Sequence, residues 1–217
     1  MKEYHKIETL FKFNQETKRW VDEFYNKNVE ILKDNIWLFT EKIDGTNFRI
    51  FWDGHKLVYG GRTDNAVFSK REIEYIEKEL VNEEKTILFE QKFNENQVIV
   101  YGELFGAGIQ NGGLYVKNGG YDFKVFDIEI GEVFLEYSNA CGLTEELGYN
   151  FVPICMAGTI ERAIEYVMKF EKSIFSEAKL EGLVGKPIGD FRDRLGKRIV
   201  VKIKKKDLLK TDFTKGV

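Results

Sequence analysis

The pattern of apolar and polar positions along the chain predicts more strands than helices. Short apolar runs and strict alternation are typical of β-strands, whereas apolar positions three or four residues apart are typical of amphipathic helices. The dipeptide Asp53-Gly54 separates two of the strand-like runs, which predicts a β-hairpin with a tight turn. The strand-like segments are Trp37 to Thr40, Phe48 to Trp52, Lys56 to Tyr59, Val98 to Phe105, Tyr121 to Ile130 and Arg198 to Lys204.

Three segments carry the spacing of an amphipathic helix. The first covers residues 20–25, near the start of the chain. Ser69 followed by Glu72 is a capping-box signal and predicts the start of the second helix. Thr159 is the predicted cap of the third helix. The apolar positions that define these helices are Trp20, Val21, Phe24 and Tyr25, then Ile73, Ile76 and Leu80, and finally Ile160, Ala163, Ile164, Val167 and Phe170.

The order of these elements predicts an α/β (α+β) fold. Hairpin connections outnumber strand–helix–strand crossovers, which favours mainly antiparallel sheets flanked by helices. The sequence of 217 residues has only two prolines, Pro153 and Pro187, and no linker-like or repeated segment. That length is enough for one sizeable core and short for two. We therefore expect a single domain over residues 1–217.

Composition and charge are those of an ordinary globular protein. Hydrophobic residues make up 43% and charged residues 32% of the sequence, and the formal net charge is −3. A surface for nucleic acid therefore has to be local, and the basic C-terminal part of the chain is the candidate. The start of the chain has no signal-peptide core, and no apolar run reaches the ~18 residues of a membrane span. These features predict a cytoplasmic protein without membrane contact.

A few charged residues stand in positions that ordinary packing does not explain. Lys42 precedes Asp44-Gly45 at the end of a predicted strand, a fragment that alone is common in surface hairpins. Glu103 lies inside an apolar run, where a buried acid needs a partner or a metal. Lys202 and Lys204 alternate with apolar residues, so both face one side of a strand. Two ammonium groups on one face repel each other unless an anion lies between them, and phosphate is the natural candidate.

Six short motifs follow one another between Lys42 and Lys204. Each is weak alone, but in this order they resemble the nucleotidyltransferase motifs shared by polynucleotide ligases and mRNA capping enzymes. The likeness covers nearly the whole chain. The motifs are Lys42-x-Asp44-Gly45-x-Asn47, Gly61-Arg62, Gly102-Glu103-Leu104-Phe105-Gly106, Phe123-x-x-Phe126-Asp127-Ile128, Glu181-Gly182-x-Val184 and Lys202-x-Lys204.

Within that superfamily the chain most resembles the RNA ligase 2 family, the phage-type RNA repair ligases. The likeness lies in residues 41–48, 102–110 and 181–187 and in the strand that starts at Arg198. Asp44 departs from it, because some of these ligases have histidine there. Most relatives also continue into a further C-terminal domain. The resemblance implies a ligase-type adenylation domain with a nucleotide pocket between its sheets, and here we expect no C-terminal domain.

The resemblance implies that Lys42 attacks the α-phosphorus of ATP and holds AMP through a phosphoramidate. A lysine must lose its proton before it can attack, and a free lysine is almost wholly protonated at pH 7. Lys202 and Lys204 would grip the α-phosphate and act with Lys42 as catalytic residues. Glu181 would bind the divalent metal, Mg²⁺ or Mn²⁺, and contact the nucleotide.

The remaining nucleotide-binding roles also follow from the resemblance. Asn47 and Glu103 would bind the ribose or orient phosphate. Arg62 would contact the nucleotide or the 5′-phosphate of the nucleic acid. Phe126 would stack on adenine, and Glu41 would help to read the edge of the base.

The function implied is ATP-dependent sealing of a 3′-hydroxyl end to a 5′-phosphate end, at nicks in duplex RNA or RNA/DNA. Three alternatives stay open: a minimal ATP-dependent DNA ligase, an mRNA capping guanylyltransferase, and a non-catalytic protein that binds nucleic-acid ends. Sealing rates on RNA and DNA nicks distinguish the first, and labelling with GTP or ATP distinguishes the second. Failure to gain one AMP would favour the third. A protein partner or a dimer is a candidate means of clamping the duplex.

Overall fold

A computed structural model describes residues 1–189 and 191–212 of the protein. The predicted α/β class with mainly antiparallel sheets is confirmed. In chain order the strands are β1 (Glu8–Thr9), β2 (Phe11–Asn14), β3 (Arg19–Phe24), β4 (Trp37–Glu41), β5 (Thr46–Trp52), β6 (Leu57–Gly60), β7 (Val98–Gly106), β8 (Tyr121–Ile130), β9 (Val133–Phe134), β10 (Asn150–Phe151), β11 (Ile154–Gly158), β12 (Gly182–Pro187), β13 (Val201–Lys204) and β14 (Thr211–Asp212).

Six α-helices are found among the described residues, together with one π-helix and one 3₁₀ turn. None of these helices has the length and apolar character that a membrane span requires. In chain order the helices are α1 (Lys27–Ile31), α2 (Lys70–Tyr75), the π-helix Ile76–Leu80, α3 (Glu83–Phe93), the 3₁₀ turn Gly112–Leu114, α4 (Tyr137–Glu146), α5 (Ile160–Lys169) and α6 (Lys205–Leu208).

The chain divides into two compact units. The first unit consists of Met1–His5 and Asp44–Val152, and the second consists of Lys6–Ile43 and the described residues from Pro153 onward. The single domain over residues 1–217 stays a prediction, and residues 190 and 213–217 lie outside the described part of the chain.

The first unit is built on a six-stranded sheet. Its strand order is β10-β8-β7-β5-β6, with β9 beside β8, and all pairs are antiparallel except β10 with β8. One face of the sheet carries apolar side chains such as Phe48 and Val100, which form a buried core with Ile76, Phe89 and other residues of the helices. Because strand residues alternate between faces, the opposite face carries the polar residues of β5, β7 and β8.

The predicted hairpin and the predicted capping box in the first unit are both confirmed. β5 pairs with β6, and Asp53 Oδ1 accepts hydrogen bonds from two backbone amides of the turn. Gly54 has φ +102°, a conformation that favours glycine. Ser69 and Glu72 exchange hydrogen bonds at the start of α2. The predicted helix then continues as the π-helix, with Val81 donating its amide to the carbonyl five residues earlier.

The second unit contains a five-stranded and a three-stranded sheet. The larger sheet has the order β1-β13-β12-β4-β11, and the smaller has the order β14-β3-β2. Trp37 and Phe39 from β4 are fully buried, and Ile160 and Val167 from α5 belong to the same core. The prediction of α5 is confirmed, including its cap, because the Thr159 side chain accepts a hydrogen bond from the backbone of the first turn.

The predicted helix over residues 20–25 is wrong, because this segment forms strand β3. Trp20 and Phe24 are four residues apart, so they would share one face in a helix and also share one face in a strand. In the structure they face Phe13 and Phe11 of β2, with ring centroids 5.1 and 5.6 Å apart. Pairing with a neighbouring strand, which the helical spacing does not reveal, decided the conformation.

The last predicted strand is shorter than expected. It was predicted from Arg198, but β13 begins at Val201. The residues before it close a turn, in which the Ile199 amide donates to the Phe191 carbonyl and the Asp193 amide donates to the Lys197 carbonyl. The Ile199 amide is thus used in this turn and Arg198 forms an isolated bridge with Arg192, so the ladder begins only at Val201.

Candidate active site

Lys42 lies directly after β4 and beside the Glu181-Gly182 motif. Antiparallel pairing of β4 with β12 places Glu41 opposite Leu183, and the Lys42 amide donates to the Gly182 carbonyl at 2.9 Å. The Lys42 ammonium group then reaches Glu181 Oε2 at 2.6 Å. The side chains of Lys42 and Glu181 are 22% and 14% exposed, so the ion pair is largely shielded and still accessible.

Glu181 also contacts a second lysine. Its other carboxylate oxygen lies 3.0 Å from the Lys204 ammonium group. The pairing of β12 with β13 sets this contact, because Gly182 is opposite Lys204. Lys202 and Lys204 alternate with the buried Val201 and Ile203, as the sequence pattern predicted. One carboxylate therefore bridges Lys42 and Lys204 on one side of the sheet.

Lys202 is the third lysine of this group. Burial, followed by the positive charges of Lys204 and Lys42, lowers its pKa. Lys202 makes no ion pair with any carboxylate in the part of the chain that the structure describes. A half-buried ammonium group beside two others favours a bound anion.

Glu41 precedes Lys42 and is 2% exposed. Its Oε2 accepts a hydrogen bond from the Ile174 amide at 3.0 Å. Ile174 belongs to the loop that follows α5, so this loop fixes the direction of the carboxylate. The sequence motifs could not reveal that the Ile174 backbone amide binds Glu41.

The backbone conformation and close packing at position 182 require glycine. Gly182 has φ +156°, and a Cβ atom there would lie 2.0 Å from the Ile203 carbonyl oxygen. We expect Gly182→Ala to lower the free energy of unfolding by about 2 kcal/mol or more, because β12 and β13 must separate to admit the methyl group. The same movement would separate Glu181 from Lys204. Urea unfolding of the variant measures the first effect.

Gly142→Ala is the matched control for this prediction. Gly142 lies within α4, and nothing lies within 4 Å of a Cβ atom built there. Alanine is the better helix former by about 0.5–1 kcal/mol, so this change should leave stability equal or higher. Equal stability of the Gly182→Ala variant and the unmodified protein would show that the strand pair tolerates the methyl group.

Asn47 and Glu103 occupy neighbouring strands of the first unit. They are register partners in the pairing of β5 with β7. Asn47 Oδ1 is buried, and no donor among the described residues reaches it. Glu103 is half-buried and is the one residue of β7 that is not buried, so the expectation of a buried acid holds only in part. The two side chains lie on the polar face of the sheet.

Phe126 lies at an irregularity in β8. Tyr101 pairs with Asp127 and Gly102 with Val125, so Phe126 is the extra residue of a β-bulge. Its ring meets the edge of the Tyr4 ring, with centroids 5.0 Å apart and planes at 73°. The Tyr4 hydroxyl donates to Asp127 Oδ2 at 2.7 Å.

Arg62 is exposed in the turn that follows β6. Elsewhere in the first unit, the Asn111 side chain donates to Asp44 Oδ2 at 2.6 Å. This bond connects the loop after β7 with the Asp44-Gly45 part of the first motif.

The predicted residues fall into two groups. Lys42, Glu41, Glu181, Lys202 and Lys204 belong to the second unit, and Asn47, Arg62, Glu103 and Phe126 belong to the first.

Two residues beside the predicted ones were missed by sequence reasoning. Arg49 is fully buried in β5, and its signal was a charged residue within the apolar run Phe48 to Trp52. Tyr4 contacts Phe126 from the start of the chain, and no local pattern indicated it. No three acidic, histidine or cysteine side chains converge as a ready-made metal site anywhere in the described residues.

Comparison with known proteins identifies the family. A family model described as RNA ligase matches residues 35–204. This chain belongs to the RNA ligase family. The resemblance that the ordered motifs predicted is therefore confirmed. No curated protein sequence matches this member of the family.

Solved structures of an RNA ligase from Naegleria gruberi share the fold of this RNA ligase family member. A variant with ATP and Mn has a TM-score of 0.63 and 20% identity, covering 94% of this chain and 60% of that chain. An unliganded variant has a TM-score of 0.62 and 21% identity, covering 85% and 53%. The ligase with pyrophosphate has a TM-score of 0.60 and 20% identity, covering 92% and 59%. The chain thus spans little more than half the length of these ligases.

Proposed function

We propose that this member of the RNA ligase family is an ATP-dependent RNA ligase that joins a 3′-hydroxyl end to a 5′-phosphate end. The observation that carries the proposal is the bridge that Glu181 makes between Lys42 and Lys204. Such a group of charges suits nucleotidyl transfer, in which positioning and neutralisation of charge supply most of the catalysis.

The proposed reaction has three steps. First, the Lys42 amine loses a proton and attacks the α-phosphorus of ATP, so that a nitrogen–phosphorus bond forms while the bond to the β-phosphate breaks and pyrophosphate leaves. Second, an oxygen of an RNA 5′-phosphate attacks the same phosphorus, the nitrogen–phosphorus bond breaks, the Lys42 nitrogen takes up a proton and leaves as the amine, and AMP passes to the RNA end. Third, a 3′-hydroxyl attacks the capped 5′-phosphate, gives up its proton and releases AMP.

Lys202 and Lys204 are proposed to hold the α-phosphate during the first two steps. Lys202 has its pKa lowered by burial and by the neighbouring lysines. An anionic phosphate beside these ammonium groups replaces repulsion with charge-assisted hydrogen bonds. Both lysines can therefore stabilise the negative charge of the reacting phosphate, which supports their assignment as catalytic residues.

Glu181 is the proposed ligand of Mg²⁺ or Mn²⁺. Magnesium in proteins is usually held by one or two carboxylates together with substrate phosphates and water, so a single accessible carboxylate beside a phosphate site fits. Its contacts with Lys42 and Lys204, the proposed nucleophile and a proposed phosphate-binding residue, support this assignment. A divalent ion supplies positive charge to the phosphate oxygens. The presence of ATP and Mn in the similar Naegleria structures supports this requirement.

Five residues are proposed to recognise the nucleotide. The buried Oδ1 of Asn47, which no donor among the described residues reaches, suits a ribose hydroxyl donor, and Glu103 is assigned to the ribose or to the orientation of phosphate. Phe126 is assigned to stacking on adenine and Glu41 to the edge of the base. Arg62, which is exposed, is assigned to a phosphate.

The proposed substrate is a nick in duplex RNA or RNA/DNA, and a panel of nicks tests it. We expect a nick with RNA on the 3′-hydroxyl side to be sealed at least about 10-fold faster than an all-DNA nick with ATP and Mg²⁺. GTP should not replace ATP. Faster sealing of the DNA nick would favour a minimal DNA ligase instead, and labelling by GTP alone would favour a capping enzyme. Binding of ends without sealing or labelling would disprove the enzymatic proposal.

A further inference from the structure

Arg49 is a buried charge in an otherwise apolar stretch of β5. Its side chain is 0% exposed, and its neighbours Phe48 and Ile50 are equally buried. A guanidinium group stays protonated in proteins, and its burial is costly unless hydrogen bonds and an opposite charge compensate. The groups that bind the buried Arg49 side chain therefore indicate which part of the structure this residue holds in place.

Two of the three hydrogen-bond partners of Arg49 lie on either side of Arg62 in the sequence. Its Nε donates to the Gly61 carbonyl at 2.7 Å, and its Nη2 donates to Asp64 Oδ1 at 2.9 Å. Nη1 donates to the Met1 carbonyl at 2.9 Å. One planar group thus binds the residue before Arg62 and the second residue after it. Since a guanidinium group has a fixed fork of donors, these bonds restrict the turn at two points.

The turn itself is closely packed where Arg49 meets it. A Cβ atom at Gly60 would lie 3.3 Å from Arg49 Nη2, and one at Gly61 would lie 2.5 Å from the Ala66 Cβ. Arg62 is exposed on the same turn. The Asp64 side chain is 59% exposed, so it pairs with the buried Arg49 from the surface. The exposed Arg62 therefore belongs to a turn that is bound by the buried Arg49.

We propose that Arg49 and Asp64 are positioning residues that hold the Arg62 turn, so that the Arg62 guanidinium group meets a phosphate. This inference rests on the proposed ligase function. The phosphate belongs either to ATP or to the 5′-end of the RNA, and both present the same oxygens to the arginine. The two sources act in different steps, and the steps can be measured separately.

Asp64→Ala is the decisive variant, because it removes the counter-charge of the buried Arg49 and leaves the hydrogen bond from Arg49 to Gly61. The melting temperature is measured alongside, since an unpaired buried guanidinium group destabilises the fold. We expect about a 10-fold slower rate in the step that uses Arg62, since small displacements of a positioning group are costly in transfer reactions. One arm measures labelling of the protein by ATP, and the other measures transfer of AMP from labelled protein to a 5′-phosphate RNA. Loss in the first arm identifies the ATP phosphate, and loss in the second alone identifies the RNA phosphate.

A double-mutant cycle separates positioning from a general structural role. In an Arg62→Ala background, Asp64→Ala should cause less than about a 2-fold further loss, because residues that act through one another are not additive. Glu132→Ala, which removes another exposed acid of the first unit, should match the unmodified protein in both arms. Arg49→Lys keeps the charge without the fork and should reproduce the loss of Asp64→Ala.

Two results would overturn the inference. One is an Asp64→Ala rate equal to that of the unmodified protein in both arms. The other is an equal loss in the presence and absence of Arg62. Failure of the ligase proposal is distinguishable, because the unmodified protein itself would then neither gain AMP nor transfer it.

Discussion

Replacing Lys42 with alanine is expected to abolish the covalent attachment of AMP. Lys42 is the proposed nucleophile, and its ammonium group is held 2.6 Å from Glu181 at the end of β4. The proposed mechanism assigns the attack on the α-phosphorus to Lys42 alone, with Lys202 and Lys204 holding the phosphate, so the loss should exceed about 10³-fold. The measurement is incubation with Mg²⁺ and ATP carrying a labelled α-phosphate, followed by intact mass analysis. The unmodified protein should gain the mass of one AMP.

Lys12→Ala is the control for the nucleophile. Lys12 also belongs to the second unit, lies in β2 and has a side chain that is 45% exposed. Its removal should leave labelling unchanged. The melting temperature of Lys42→Ala should stay close to that of the unmodified protein, because the lysine is outside the core. Normal AMP labelling of Lys42→Ala would refute the proposed mechanism.

Glu181→Ala should reduce the first step by about 10²-fold or more, as the loss of a metal or phosphate contact usually does. Its carboxylate contacts both Lys42 and Lys204, so the change leaves two ammonium groups without their shared counter-charge. It also removes the proposed metal ligand. Single-turnover labelling across a range of Mg²⁺ and Mn²⁺ concentrations measures both effects. We expect the variant to need more metal and still to remain slower at saturation.

The control for Glu181 is Glu177→Ala, a change to a carboxylate of the same unit that is 86% exposed and pairs with Lys172. It should label at the normal rate. If Glu181→Ala remained within a few-fold of the unmodified protein at every metal concentration, Glu181 would have neither proposed role.

Elements that depend on nearby residues were predicted correctly. The Asp53-Gly54 hairpin and the Ser69 capping box form within a few residues, so the sequence around them contains all the groups involved. The helix predicted over residues 20–25 was wrong for the opposite reason. The strand conformation of this segment depends on β2, whose Phe11 and Phe13 contact Phe24 and Trp20. Helical spacing alone could not reveal that neighbour.

The candidate site, too, was predicted in its local features but not in its long-range contacts. The motifs predicted which residue types matter, because acids and lysines within apolar strands are costly without a ligand or a partner. They could not predict which of these groups meet. Lys42 and Glu181 are 139 residues apart in sequence, and their contact follows from the pairing of β4 with β12. The pairing of β12 with β13 then brings Lys204 to the same carboxylate.

The sequence by itself determined the RNA ligase family, the mainly antiparallel fold class and the identity of the charged candidates, since ordered motifs and alternating patterns are properties of the chain alone. Only the tertiary structure decided that Glu181 bridges two lysines, that the Ile174 amide binds Glu41, and that Arg49 donates to Gly61 and Asp64. The physical reason is that a buried charge must find partners, and long-range strand pairing selects which groups are within reach.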